Sequence, residues 1–257
     1  MPYSPYKIEN GIFFLHEETP EEIARGELLM RLDKRENHLY DDAEVREFPN
    51  TFSYNLHKEE WKEKSDLFDR FLKYLNKRLP EAPQPYVVLH LCSGNGWLPA
   101  KLAERKDFQV IGLENRKWLL EQAVRVFYKT NIKFLYGDLL KKPFGPEAFD
   151  VIIIDEALKY FPDLDQLLEA CFQCLKPEGE IHLLNNPFYP ASRIESQENE
   201  LLLHLRQVSC ETSGAHLFLH STDSLRAYNF SLMAKKSGLS QLFGAKKNNH
   251  TWVRILR

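Results

Sequence analysis

The chain has 257 residues, 34 of them basic and 37 acidic, for a formal net charge of −3. Its 43% hydrophobic and 28% charged residues can bury a sizeable core, which excludes a disordered or collagen-like chain. The basic excess that grips a polyanion is missing, so a nucleic-acid partner is disfavoured.

The N-terminal stretch MPYSPYKIEN lacks an apolar run of signal-peptide length, and runs such as Val151 to Ile154 are strand-sized. The expectation is a soluble, cytoplasmic protein with no membrane partner. Cys92, Cys171, Cys174 and Cys210 do not suggest a disulfide framework, and the lone CxxC of Cys171 and Cys174 lies in a helical pattern, as buried helix cysteines do.

Thr19-Pro20-Glu21-Glu22 predicts a helix start, with a threonine cap, proline at the first helical position and a glutamate placed to return the capping bond. That helix runs to about Leu32. A second is written in the stripe Phe68, Phe71, Leu72, Leu75 and Leu79. Between them, Asn37 to Tyr54 is polar and aromatic without a sustained period. Residues 1–80 thus read as a helical cap or lid, and Pro80, Pro83 and Pro85 mark the boundary to a larger domain over 81–257.

Beyond that boundary strands and helices alternate. Strand-like runs at Tyr86 to Leu91, Gln109 to Leu113, Lys133 to Tyr136, Asp150 to Ile154 and Glu180 to Leu184 are separated by helical patterns at Pro99 to Arg105, Trp118 to Tyr128 and Leu164 to Leu175. A turn is expected at 176–179. This rhythm predicts right-handed βαβ units and a doubly wound, mostly parallel α/β sheet. An accessory insertion at about 187–222 breaks it, with one helix at Glu198 to Gln207. A helix over Asp223 to Ser237 should follow, then two antiparallel strands at Leu239 to Phe243 and Thr251 to Leu256, joined by a tight polar connection at 244–249.

In open α/β sheets ligands bind outside the carboxyl ends of the strands, where the strand order reverses. The first strand-to-helix turn here is Leu91-Cys92-Ser93-Gly94-Asn95-Gly96, whose glycines allow a close approach of backbone to ligand. Glu114 ends the next strand, about 20 residues on, where a carboxylate can accept from both hydroxyls of a ribose. Pro99 stands where a pyrophosphate-binding fingerprint has its third glycine, so a dinucleotide is disfavoured. Asp138, in Tyr136-Gly137-Asp138-Leu139, can accept from an exocyclic adenine amine.

Taken together, VVLHLCSGNG, VIGLEN, FLYGDL, FDVIIIDEALKYFPD and LKPEGE resemble the class I S-adenosylmethionine-dependent methyltransferases over residues 86 to 184. The resemblance implies a Rossmann-like seven-stranded sheet with an antiparallel last strand, S-adenosyl-L-methionine as cofactor and no metal. It places Gly94 and Gly96, with Cys92, Ser93 and Asn95, under the methionine and ribose portions. Glu114, with Asn115 beside it, would hold the ribose, Asp138 and Leu139 the adenine, and Asp155 and Glu156 the wall after the fourth strand. In one departure from the family, His90 stands where relatives carry an acid that offsets the cofactor's α-ammonium. A neutral imidazole can accept a hydrogen bond there but supplies no negative charge.

The implied activity is methyl transfer to a small-molecule acceptor, with a catalytically inactive binding or scaffold protein as the alternative. Lys159, Tyr160, Tyr189, His216 and His220 are candidate bases, and none stands out. The aromatics Phe48, Phe52, Tyr54, Trp61, Phe188 and Tyr189 would suit a partly apolar acceptor, while Asn186-Pro187-Phe188-Tyr189 reads as a turn. The oligomeric state has no signature in the sequence.

Overall fold

The chain opens with a β-hairpin that sequence periodicity did not announce. In the computed structural model, which describes residues 3–81, 84–208, 217–234 and 251–257, β1 (Lys7–Glu9) and β2 (Ile12–Phe14) pair across Asn10-Gly11. Both turn residues have positive φ, 50° and 82°, as a two-residue Asn-Gly hairpin turn requires. The strands are three residues each, too short to show a period of two.

Helix α1 (Pro20–Arg35) starts with the expected reciprocal cap between Thr19 and Glu22. An Asp41–Glu44 capping box opens α2 (Asp42–Glu47), a helix too short for sequence periodicity to reveal. Helix α3 (Lys58–Arg78) begins earlier than its Phe68 to Leu79 stripe because Trp61 and Leu67 extend the same buried face. Then come β3 (Tyr86–Leu91), α4 (Trp97–Leu102), β4 (Phe108–Glu114), α5 (Lys117–Val126), β5 (Ile132–Tyr136), β6 (Phe149–Asp155), α6 (Leu164–Cys174) and β7 (Leu175–Leu184). Residues 176–179 lie within the span of β7, where pairing jumps from Phe149↔Leu175 to Val151↔Glu180. The expected turn is therefore a bulge between two paired stretches. The insertion holds β8 (Phe188–Tyr189), α7 (Ile194–Val208) and β9 (His220–Ser221), with β8 and β9 pairing in parallel.

The tail departs from expectation. Only a short 3-10 turn, Thr222–Leu225, precedes β10 (Asn229–Ala234), which pairs antiparallel with β11 (Trp252–Leu256) where a helix over 223–237 was expected. Six residues reading NFSLMA fit either period, and pairing with β11 decides for the strand. Residues 235–237, the strand expected at 239–243 and the connection at 244–249 lie outside the described residues.

Among the described residues the main sheet has nine strands, in the order β1-β2-β5-β4-β3-β6-β7-β11-β10. From β5 to β7 all neighbours are parallel, and β11 runs antiparallel to both β7 and β10. The doubly wound order and the antiparallel strand near the far edge match the sequence reading. The seven-stranded expectation falls short by the hairpin, because β2 extends the sheet by pairing in parallel with β5.

The two faces of the sheet bury separate cores. One gathers Val88, Val110 and Ile153 with Trp61, Phe68 and Phe71 of α3, Leu98 of α4 and Leu120 of α5. The other gathers Leu89, Ile111 and Ile154 with Leu167, Leu168 and Cys171 of α6. Cys171 and Cys174 are free and buried in α6, as expected. Helix α1 packs apart, placing Leu28, Leu29 and Leu32 against Leu205 of α7. The Phe71 ring is fully buried, with its centroid 5.0 Å from His182 and 5.5 Å from Trp252. Phe71→Ala is expected to cost about 3–5 kcal/mol by leaving a cavity beneath the sheet, read as a fall in the urea midpoint at an unchanged slope.

Candidate functional site

Strand order reverses between β3 and β6, because the chain winds outward through β4 and β5 and returns to add β6 on the other side of β3. A cleft opens at the carboxyl ends on that side of the sheet. It is lined by Leu91 and Cys92 after β3, Glu114 to Arg116 after β4, Gly137 to Leu140 after β5, and Tyr160 to Pro162 after β6. Arg25 and Leu29 of α1 close it. The cavity is about 130 Å³, below the ~300–1,000 Å³ of typical ligand pockets. A cofactor-sized molecule therefore fits only when some lining group moves.

The turn from β3 to α4 is built for close approach. Gly94 and Gly96 have φ of +56° and +83°, and a Cβ on Gly96 would meet Ala123 and Phe134 at 2.8 Å. Gly94 has nothing within 4 Å of the equivalent position, so its free side is open space. Cys92 also has positive φ, 54°. Asn95 Oδ1 accepts from the Trp97 N–H at 3.4 Å, at the start of α4.

Glu114 is buried and saturated. Its Oε2 accepts from the Gly94 N–H and Arg116 Nη2, each at 3.0 Å. Its Oε1 accepts from the Asn115 N–H at 2.9 Å, the Arg116 N–H at 3.0 Å and Arg116 Nε at 3.1 Å. Burial alone would raise its pKa, but the Arg116 guanidinium and these N–H groups together lower it below the usual carboxylate range. Arg116 also lies over the Tyr160 ring, 5.2 Å from its centroid, and reaches Asp33 of α1 at 3.9 Å. Nearby, Arg25 Nη2 donates to the Tyr160 carbonyl at 3.2 Å. Arg116 thus ties the strand end, the loop after β6 and α1 together.

His90 and Ser93 lie buried beneath the same turn, and His90 Nδ1, His90 Nε2 and Ser93 Oγ have no hydrogen-bond partner among the described residues. Burial pushes the His90 pKa down to about 3, against a weak upward pull from Glu114. Asp138 accepts from the Leu140 N–H at 2.9 Å, capping the 3-10 turn Leu139–Lys141.

Cys92, Glu114, Asn115, Asp138 and Leu139 therefore meet in the cleft as the sequence suggested, with His90, Ser93, Gly94, Asn95 and Gly96 in or under the adjoining turn. Asp155 and Glu156 do not line it. Asn185 Nδ2 donates to Asp155 at 2.8 Å, and Glu156 pairs with Lys64 of α3 at 2.9 Å. Burial, followed by the Glu156 charge, raises the Asp155 pKa.

Among the candidate bases, Tyr160 lines the cleft, while His220 Nε2 donates to the Leu158 carbonyl at 2.9 Å in a structural role. His216 lies outside the described residues. Asn186 donates to the Ile154 and Leu184 carbonyls and accepts from the Leu158 N–H, but the turn expected over Asn186-Pro187-Phe188-Tyr189 is not formed, because Phe188 and Tyr189 pair with His220 and Ser221 as β8. The proposed acceptor aromatics divide: Phe48 and Trp61 stack at 3.7 Å in the buried core, whereas Tyr54 is 64% exposed. Phe48 and Trp61 therefore serve packing. Sequence reasoning missed Arg116, whose position two residues after Glu114 permits the local fork, and Arg25 and Leu29, which reach the cleft only through tertiary folding.

Residues 88–179 match the model of a methyltransferase domain. The chain is 32% identical over 103 residues to a demethylmenaquinone methyltransferase of Lactobacillus johnsonii, covering 38% of this chain and 42% of that protein. It is 34% identical over 118 residues to a 2-phytyl-1,4-naphthoquinone methyltransferase of Thermosynechococcus vestitus, covering 45% and 52%. The chain spans about half the length of the curated relatives it matches. By fold it is similar to the YcgJ protein of Bacillus subtilis, with a TM-score of 0.54 at 16% identity over 74% of this chain and 99% of that one. It is likewise similar to the geranyl diphosphate C-methyltransferase of Streptomyces coelicolor, with a TM-score of 0.52 at 14% identity over 92% and 97%. Residues 88–179 are thus similar to a methyltransferase domain, the class that the sequence motifs resemble.

The buried imidazole makes stability depend on pH. His90 binds its proton in the unfolded chain below about pH 6.5 and in the folded chain only near pH 3. Its contribution is complete above the unfolded pKa and is lost as pH falls from there towards the folded value, at up to about 1.4 kcal/mol per pH unit. Between pH 6.5 and 5, His90→Asn is expected to lower the slope of the unfolding free energy against pH by about one proton's worth relative to the unaltered chain, as measured by urea denaturation. The residual slope combines the buried His182, also depressed by burial, with Asp155, whose raised pKa acts in the opposite direction and is the same in both proteins.

Proposed function

We propose that this chain transfers a methyl group from S-adenosylmethionine to a small, partly apolar acceptor at the carboxyl end of the sheet. The observation that carries the reading is the convergence of the Gly94 turn, Glu114 and Asp138 at the reversal of strand order. Unpartnered polar atoms on His90 and Ser93, and the open face of Gly94, support the fit to this cofactor. The relatives' names, which include demethylmenaquinone, naphthoquinone and sterol methyltransferases, support an apolar acceptor.

Bound cofactor would supply a sulfonium methyl group open to in-line displacement. In this reading Glu114 accepts the ribose hydroxyls, and Asp138 with Leu139 and Asn115 frames the adenine. Gly94 and Gly96, with Cys92, Ser93 and Asn95, let the backbone approach the methionine end, where neutral His90 accepts a hydrogen bond. Asp155 and Glu156, held by Asn185 and Lys64, back the loop after β6 that forms the wall of the site. Alignment of acceptor and methyl group supplies the rate enhancement. Tyr160, whose hydroxyl accepts at its oxygen while giving up its own proton to solvent, is the group at hand to relay a proton from the acceptor.

Arg116 stands in the way. A carboxylate offers about four acceptor positions, and five N–H groups already point at Glu114. The Arg116 side chain must swing aside to admit a ribose, and α1, linked to it through Asp33, moves with it. Helices α1 and α7, which share a small apolar seam, thus form a lid over the cleft. The same lock favours a second reading, a domain that binds the cofactor without turning it over. We place the protein in the cytoplasm, supported by its three described cysteines, all free.

Glu114→Gln is expected to weaken S-adenosylmethionine binding roughly ten- to a hundredfold in calorimetry, corresponding to about 1.5–3 kcal/mol for charge-assisted bonds. An unchanged affinity in a folded variant would remove Glu114 from the site. Loss of tritiated methyl transfer to quinol-like acceptors with binding intact would favour the second reading.

Hydrogen exchange in α1 and α7 is expected to slow on cofactor binding. If protection changes only within residues 86–160, the two helices are fixed structure and the lid is excluded.

A further inference from the structure

A second cluster of chemistry lies outside the cleft, where the end of α1 meets the start of α3. Helix α1 stops at Arg35, and Asn37, with φ of 59°, turns the chain so that the His38 N–H donates to the Asp33 carbonyl at 2.7 Å. This reversal sets His38 against His57, the residue capping α3, with ring centroids 4.1 Å apart. Glu60, three residues into α3, lies on the same face as His57. One donor atom from each of His38, His57 and Glu60 falls within 4.8 Å of the other two.

The hydrogen bonds around these residues fix which atoms are available. His57 Nε2 is 2.9 Å from the Glu36 carbonyl. A carbonyl only accepts, so that nitrogen carries the proton and His57 Nδ1 keeps its lone pair. Metal-binding histidines characteristically donate their other ring N–H to a carbonyl or carboxylate in this way. His38 Nδ1 faces the Glu36 carboxylate at 3.6 Å, which favours a lone pair on its Nε2. Glu60 Oε1 is held by Lys64 at 2.8 Å, while Oε2 is turned to His57 Nδ1 at 3.6 Å. That gap is too long for a hydrogen bond. It is close to the ~3.4 Å that separates two ligands about 2.1 Å from one tetrahedral ion.

We propose that His38, His57 and Glu60 bind one divalent transition-metal ion of the zinc class. Two imidazoles and a carboxylate suit zinc, cobalt or iron(II) rather than magnesium or calcium, which take oxygen ligands. All three side chains are partly exposed, at 34%, 22% and 31%, so an ion reaches them without unfolding. Three protein ligands leave at least one position for water or an oxygen of another molecule. The site is tied to neighbouring elements at two points. His204 of α7 lies 2.6 Å from the Glu36 carboxylate, and Lys64 bridges Glu60 to Glu156 in the loop after β6. The ion would thus fasten the α1–α3 corner beside the proposed lid, and its binding does not depend on the methyltransferase reading.

The test uses the full, untagged chain, freed of metal by a chelator and titrated with cobalt(II) chloride and then zinc chloride. One equivalent of cobalt should bind, with a visible absorption band and two paramagnetically shifted, exchangeable imidazole N–H resonances, and zinc should displace it. His38→Gln and His57→Gln, each folded by circular dichroism, should weaken binding at least tenfold. His204→Gln, which changes a residue outside the ligand set, should retain the stoichiometry. Absence of stoichiometric binding by the folded wild-type chain, or binding unchanged in both folded ligand variants, overturns the proposal. Where a variant does not fold, the shifted resonances of the unaltered chain decide: two imidazole N–H signals support it, and none overturns it.

Discussion

The buried Glu114–Arg116 pair is the constraint on which the upper edge of the sheet depends. A carboxylate with almost no exposure, at the end of a central parallel strand, must be matched by charge or become neutral. Arg116 supplies that match, and the backbone N–H groups of Gly94, Asn115 and Arg116 complete it. Removing one partner of such a pair typically costs about 3–5 kcal/mol, because the other charge is left buried. The glycine turn after β3, the first turn of α5 and the Tyr160 loop are therefore all positioned by one carboxylate.

This arrangement has a functional consequence within the proposed reading. Ribose hydroxyls can replace the hydrogen bonds of the guanidinium but not its charge, so the backbone N–H groups that stay behind must hold Glu114 ionised. Binding then exchanges an internal ion pair for ligand contacts, and α1, linked to Arg116 through Asp33, resettles over the ligand. A cleft of only about 130 Å³ and a saturated carboxylate both follow from the position of the Arg116 side chain. His90 fits this pattern: an imidazole, unlike an acid at that position, puts no second negative charge beside Glu114, and burial keeps it from adding a positive one.

The N-terminal segment illustrates how far element patterns go. Its helices were legible where caps and stripes repeat: the threonine box of α1 and the Phe68 to Leu79 stripe of α3. The hairpin at residues 7–14 and α2 were not, although the Asn10-Gly11 dipeptide and the Asp41–Glu44 box are local signals for both. Each element is too short for periodicity, and only pairing of β2 with β5 and packing of α2 beside α5 give them a buried face. In the tail, NFSLMA became a strand because β11 offered an antiparallel edge, a partner lying across a stretch that no local window spans.

By itself the sequence determined the alternation of strands and helices, the glycine turn and the acids ending successive strands, because these follow from local periodicity and from residue spacing within βαβ units. It thereby determined the fold class and the place where Glu114 and Asp138 converge. Tertiary structure alone decided that Arg116 occupies the Glu114 carboxylate, that Arg25 and Leu29 close the cleft, that Asp155 and Glu156 turn to Asn185 and Lys64, and that His38 and His57 meet. Each of these depends on side chains from separate elements reaching one point. Burial and charge balance at that point, which no single segment encodes, select the partner.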